Sequence, residues 1–277
     1  MLSTTGKTFR PRRQRTLLFV ALLAILCLSA SLPAKAATRV LVWSDEFNAP
    51  DFSPANGSKW RVTDRASTVN NELQYYTPSD VFHWGGNLVL KSERRSLGGR
   101  SYTSGRVDTK DRFTFTYGEV EIRAWVINAS NTPGTATGLW PALWLLNAPC
   151  EAAVPCSAGN WPPEIDIGEW KGEVPNRVYM THHYGVYPNN AYAGTSFTGP
   201  SFNTGFHDFK LVWDPNQIVW YVDGVQRYRR TSDIPHVPMQ LIMNVAVGGN
   251  FEGLASPANT TFPRETKIDY VRIYRWQ

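Results

Sequence analysis

Three carboxylates fall within six residues in Glu164-Ile165-Asp166-Ile167-Gly168-Glu169, on a segment otherwise built of Trp, Pro and Ile. Acidic side chains are poor strand formers, and crowding them raises the pKa of at least one. In a regular strand Glu164 and Asp166 share one face, while Glu169 points to the other. A β-bulge at Ile167-Gly168, which glycine suits, returns Glu169 to the shared face. The outer Cα atoms then lie ~13 Å apart. Glutamates leaning toward each other leave their carboxyls ~5 Å apart, the spacing used for double displacement at an acetal carbon. Glu164 is expected to be ionised as nucleophile, Glu169 protonated as general acid and then base, and Asp166 to keep the two protonation states distinct. A calcium loop would carry Asp or Asn at alternate positions around a glycine turn, and an exposed acidic strand would not need Ile165, Ile167 and Trp170 between its acids.

These residues must be held by strands. Segments 87–91, 104–109, 118–126, 177–184, 207–213, 217–222, 240–247 and 267–276 alternate apolar with polar residues or are rich in Val, Ile, Tyr and Trp. Gly85-Gly86, Asp223-Gly224 and Gly248-Gly249 punctuate them, and Tyr221 to Gln226 reads as a hairpin. No stretch keeps a helical period over three turns. The pattern predicts an all-β chain, a β-sandwich or jelly roll of antiparallel sheets.

The 277 residues carry a net charge of +5, but all six basic residues of the first 36 (Lys7, Arg10, Arg12, Arg13, Arg15, Lys35) stand there without an acid. The remainder has 22 basic and 23 acidic residues, net −1, which removes the main argument for a nucleic-acid partner. Residues 1–36 read as a signal peptide: a basic start, an apolar run from Leu17 to Leu28 too short to span a bilayer, and Ala34-Lys35-Ala36 as the cleavage signal. The expected product is an exported, soluble monomer of one domain, residues 37–277, with no membrane segment. Cys27 leaves with the leader, and Cys150 and Cys156 are expected to form a disulfide closing the loop ahead of the acidic strand. No Gly-x-Ser-x-Gly elbow, His-Glu-x-x-His or glycine-rich phosphate loop is present, and five histidines make no zinc pattern.

The acidic segment resembles the bulged Glu-x-Asp-x-x-Glu signature of glycoside hydrolase family 16, in its laminarinase-like form. Val42-Trp43-Ser44-Asp45-Glu46-Phe47-Asn48, Asn71-Glu72-Leu73-Gln74-Tyr75-Tyr76, Tyr102-Thr103-Ser104-Gly105-Arg106, Tyr117-Gly118-Glu119-Val120-Glu121-Ile122-Arg123, Gly138-Leu139-Trp140-Pro141-Ala142-Leu143-Trp144, Asn244-Val245-Ala246-Val247-Gly248-Gly249 and Ile268-Asp269-Tyr270-Val271-Arg272-Ile273-Tyr274 resemble further family blocks, in family order. The resemblance implies a two-sheet jelly roll with a concave substrate cleft, and endo-hydrolysis of β-1,3-glucan through a glycosyl-enzyme intermediate, without a catalytic cofactor. It gives Glu164, Asp166 and Glu169 the roles already derived. It also marks Asn71, Glu121, Arg123 and Asn244 as binders of sugar hydroxyls. Trp140, Trp144, Trp161 and Trp170 crowd the catalytic region, and about half of them are expected to touch substrate. His183 aligns with a family histidine, although the neighbouring His182 leaves the choice between the two open. A structural calcium is implied at Glu46, the Gly86 carbonyl and Asp269. The same resemblance leaves three alternatives: a transglycosylase, a hydrolase of mixed-linkage glucan, agarose or carrageenan, and a glucan-binding protein without catalysis. The presence of both glutamates argues against the last. Asn56, Asn128 and Asn259 head sequons that act as glycan acceptors only in a eukaryote.

Overall fold

The computed structural model describes residues 1–3, 6, 38–128, 136–151, 153–157, 159–252 and 260–277. Nearly all of the leader, including Cys27 and the expected cleavage point after Ala36, lies outside them, as do Asn259 and the Ala129-Ser130 part of the Asn128 sequon. Contacts between Cα atoms separate Met1–Ala36 from a compact unit, Ala37–Gln277.

Among the described residues the chain forms eighteen strands, one 3-10 turn at Pro78–Asp80 and no α-helix. Seven strands, numbered in chain order, make one sheet: β13 (Ala191–Thr198), β12 (Arg177–Tyr184), β11 (Glu164–Glu169), β10 (Leu139–Asn147), β17 (Met239–Val247), β8 (Arg106–Asp108) and β2 (Arg61–Val62). The other sheet runs β16 (Val225–Arg230), β15 (Gln217–Val222), β14 (His207–Asp214), β9 (Gly118–Asn128), β18 (Arg264–Trp276), β6 (Asn87–Glu93), β7 (Tyr102–Ser104), β4 (Gln74–Tyr76) and β3 (Arg65–Ala66). Two further strands join it at the side, β1 (Arg39–Asp45) on β18 and β5 (Val81–Trp84) on β6. All pairings are antiparallel except β4 with β7.

Alternation along the strands builds the core. On β9, Val120, Ile122 and Ala124 are buried while Glu121 and Arg123 are partly exposed; on β11, Ile165 and Ile167 face inward. Packing of these faces with Trp170, Phe209, Trp213 and Trp220 removes several hundred Å² of aromatic surface from water, the main stabilising term of such a sandwich. The indole of Trp220 crosses the core and donates to the Asp166 carbonyl at 2.8 Å, so the inner sheet face fixes the acidic strand from behind. The sheet that bears the acids therefore has one apolar face toward the core and one polar face toward solvent.

Candidate active site

The expected bulge is present. On β10, Leu143 pairs with Gly168 and Trp144 with Asp166, so Ile167 has no partner of its own. On β12 the register steps from Thr181 opposite Asp166 to Tyr179 opposite Glu169, three residues against two. Glu164, Asp166 and Glu169 consequently project from one face. A Cβ at Gly168 would lie 2.6 Å from the Trp170 ring and 3.1 Å from Val178, so the bulge has no room for a side chain.

Each outer acid is held by an indole. Trp161 Nε1 donates to Glu164 Oε2 at 3.0 Å, and Trp140 Nε1 to Glu169 Oε1 at 2.9 Å. His183 Nε2 stands 3.4 Å from Asp166 Oδ2 and 3.6 Å from Glu164 Oε1. Burial and the Asp166 charge push the Glu164 carboxyl up to about 7, opposed by His183, the Trp161 hydrogen bond and Arg106. Burial, Asp166 and Glu164 together hold Glu169 well above the usual carboxylate range, and only Trp140 and His183 work the other way. Burial disfavours the charged form of His183, but the Asp166 carboxylate with Glu164 and Glu169 outweighs it and lifts the imidazole to about 9. The result is a carboxyl that holds its proton beside one that ionises around neutral pH, the division an acid and a nucleophile require. Glu164, Asp166 and His183 also bring ligating atoms within 4.8 Å of one another. The carboxylates that lift the His183 imidazole favour a proton on it, which suits the trio to acid–base work.

The neighbouring strands furnish walls. Trp144 Nε1 donates to Asn244 Oδ1 at 2.8 Å, and Asn244 Nδ2 donates to the Tyr76 hydroxyl at 3.2 Å. Tyr76 and Gln74 in turn donate to Glu72 Oε2 at 3.3 and 2.7 Å. The Arg106 guanidinium lies 5.2 Å from the Trp144 ring centre and 5.7 Å from that of Tyr76. Asn71 sits at the rim with a left-handed backbone (φ 56°), its amide donating to Asn250 Oδ1 at 2.7 Å. Phe251 packs 5.1 Å from Trp140, beside the Glu169 end.

The disulfide Cys150–Cys156 forms as expected, with Cα atoms 5.0 Å apart. Its two cysteines pack in a small cluster with Trp144 and Trp161, and Gln240 Nε2 donates to the Cys150 carbonyl at 2.8 Å. The closed loop thus backs the indole that holds Glu164.

Several expected residues stand elsewhere. Glu121 and Arg123 are not cleft residues: they lie on β9 in the opposite sheet, on its outer face, where Glu121 pairs with Arg39 at 2.7 Å and Arg123 with Asp269 at 3.1 Å. Trp170 is fully buried in the core, 4.9 Å from Phe209, and touches no cleft. The register places His183 opposite Glu164 and turns His182 to the other face, where burial and Arg230 lower its imidazole to about 4. For the calcium set, Glu46 accepts from Arg272 Nε and Nη2 at 2.9 and 2.7 Å, and Asp269 faces Arg123. Each carboxylate is matched by a guanidinium, which a divalent cation would have to displace. Arg106, Tyr76 and Glu72 belong to the site although no role was read for them. The signal for Arg106 was a charged residue amid a Val- and Thr-bearing strand flanked by Gly105.

A family model described as "Glycosyl hydrolases family 16" matches residues 66–272. The chain is 34% identical to a "Beta-glucanase" of Rhodothermus marinus, over 95% of each chain. It is 33% identical to "Glucan endo-1,3-beta-glucosidase A1" of Niallia circulans over 86% of this chain, which spans only 38% of that protein's length. The solved laminarinase of Rhodothermus marinus superimposes with a TM-score of 0.74 at 33% identity, covering 88% of this chain and 100% of that one.

Proposed function

The chain belongs to glycosyl hydrolase family 16, and we propose that it is an exported, retaining endo-β-1,3-glucanase acting on laminarin-type chains. The observation that carries the reading is the bulged strand β11, which gives one face three carboxylates whose protonation is split by environment. In the first step the ionised Glu164 attacks the anomeric carbon while Glu169 passes its proton to the departing glycosidic oxygen, leaving a glycosyl ester on Glu164. In the second, Glu169, now a carboxylate, takes a proton from water as the water oxygen attacks that carbon and frees Glu164. Asp166, flanked by His183, holds negative charge between them and supports a protonated Glu169. Trp140, Trp144 and Trp161, with Asn71, Asn244 and Arg106, supply faces and hydrogen-bonding groups for sugar rings.

Laminarin, mixed-linkage glucan and agarose offered in parallel to the mature protein test this reading. Laminarin is expected to be cut rapidly into short oligomers, and Glu164→Gln to abolish the cutting. Cleavage of another polymer alone would overturn the substrate, and binding without cleavage would overturn the enzyme. We further propose removal of residues 1–36 after Ala36 and a monomeric product, residues 37–277, acting outside the cell without a catalytic cofactor; among the described residues no helix is long and apolar enough to cross a membrane. A structural calcium at Glu46, Gly86 and Asp269 would have to displace Arg272 and Arg123. Thermal unfolding in millimolar calcium and in excess chelator is therefore expected to give the same midpoint.

A further inference from the structure

Beyond Glu164 the polar face of the seven-stranded sheet continues over β12 to the edge strand β13. His183 pairs with Glu164 on one side and with Tyr192 on the other, so the three side chains stand in one row across adjacent strands. At ~4.8 Å per strand, Tyr192 lies ~10 Å from the nucleophile. Ring contacts link the row: Trp161 to His183 at 5.9 Å, His183 to Tyr192 at 5.9 Å, and Trp161 to Tyr187 at 6.3 Å. Exposure climbs along it. Trp161 is half-buried, whereas Tyr187 and Tyr192 are 62% and 72% exposed, among the most exposed large side chains of the catalytic unit. The other positions of β13 on this face are Gly194, Ser196 and Thr198, opposite Thr181, Tyr179 and Arg177, so beside the His183 row the small Thr181 and Gly194 leave the floor open from Asp166 to the sheet edge. At Gly194 a Cβ would come within 2.7 Å of the Met180 carbonyl, which keeps that floor low.

We propose that Tyr187 and Tyr192, on the hairpin joining β12 to β13, form a sugar-binding shelf that grips a neutral glucan chain beyond the residues at the scissile bond. The inference rests on the glucanase reading and adds to it a preference for long chains. Two features select this occupant. The shelf is continuous with the cleft that would hold the reacting sugars, and its rings bring apolar faces and phenolic hydroxyls but no charge, which suits an uncharged pyranose better than an anionic chain. Two rings on one hairpin are also far less than the ~800 Å² per partner that a stable protein interface buries. A chain reaching the shelf spends binding free energy that a short oligosaccharide cannot supply.

The test compares the mature wild type with Tyr187→Ala/Tyr192→Ala on β-1,3-gluco-oligosaccharides of increasing length and on laminarin. Both rings are exposed, so the unfolding midpoint should be unchanged. The double variant is expected to lose about tenfold in kcat/KM on the longest substrates, mainly through KM, the size two aromatic contacts provide. It should match the wild type on the shortest chains that are cut, and Tyr187→Phe/Tyr192→Phe should restore most of the loss. An equal loss at every length, or none on laminarin, would overturn the shelf while leaving the glucanase reading intact. A wild type that cuts no β-1,3-glucan of any length would overturn both. A variant with unchanged kinetics but altered sedimentation would assign the hairpin to a second copy of the chain instead.

Discussion

His183 shows how one residue's placement sets the chemistry of its neighbours. The type and approximate position of this histidine were legible in Thr181-His182-His183-Tyr184, but the choice between two adjacent residues was not, because a one-residue slip in register exchanges the faces of a strand. The pairing of His183 with Glu164 decides it. Its positive charge favours the ionised form of Glu164, so removing the charge must raise the pKa of the nucleophile. The variant His183→Gln is accordingly expected to move the acidic limb of the kcat/KM profile to higher pH, with activity above that limb less affected. The profile of the free enzyme over pH 4 to 9 checks this, and a limb that stays put would show that the imidazole does not face the acids in solution. The apparent values belong to the coupled set of acids, not to Glu164 alone. Glu121 and Arg123 failed at this scale for a related reason. Polar alternation looks the same on the outer face of one sheet and the cleft face of the other, and only the strand order, which no local pattern encodes, tells them apart.

At the scale of the element, eight of the eighteen described strands were legible because their alternation is strong: β12 and β15 match the expected segments, and β9 and β17 differ only at their ends. Those the strand pattern missed have physical reasons. Strand β10 carries Pro141 in its interior, β13 sets Tyr192 and Phe197 among Ala, Gly, Ser and Thr, β16 holds three arginines on a largely exposed edge, and β2, β3, β4, β5 and β7 are only two to four residues long. The bulge of β11 was readable for the opposite reason, since a third acid out of phase with the first two makes chemical sense only if one residue is absorbed. It also makes Gly168 a test of the whole arrangement. In Gly168→Ala the new methyl meets the buried Trp170 ring and Val178, and neither has space to retreat. Overpacking of this kind costs about 1–3 kcal/mol, which calorimetry should register as a lowered unfolding midpoint. Because Glu169 follows the bulge directly, kcat should fall further than stability alone explains, measured well below the new midpoint. A variant that lost stability and kept wild-type kcat would show that the bulge does not aim Glu169.

For the whole molecule, the buried acids set activity and stability against each other. Glu164 and Glu252 are both pushed up to about 7, chiefly by burial, and Glu169 is held well above the usual carboxylate range. Glu252 is 2% exposed and accepts the Gly138 N–H at 2.8 Å, at the turn into β10. A carboxyl whose pKa is higher folded than unfolded binds its proton more tightly in the folded state. Its contribution is complete below about pH 4.5, the unfolded value, and is lost as pH rises through the folded value. His183, lifted to about 9, acts in the same direction at higher pH, because folding favours its protonated form. Exposed ion pairs such as Glu46 with Arg272 act in the opposite direction, since that carboxylate is lowered and its stabilisation fades as pH falls below the ordinary carboxylate range; exposure keeps this effect small. His182, lowered to about 4, opposes the raised groups between about pH 4 and 6.5, because folding favours its neutral form, but the three raised carboxyls and His183 outweigh it. The sum predicts a midpoint of unfolding that is highest near pH 5 and declines toward pH 8, across the range in which Glu164 ionises and turnover rises. Each acid held near 7 accounts for up to about 3 kcal/mol of the decline. Differential scanning calorimetry from pH 4.5 to 8.5 on the wild type, Glu164→Gln and Glu252→Gln measures it. The two variants should lose part of the slope, with Glu164→Gln more stable than the wild type at pH 8 and inactive throughout. A wild-type midpoint that rises steadily to pH 8 would mean that these carboxyls are already ionised in the folded protein, and that the proton assigned to Glu169 has to be sought elsewhere.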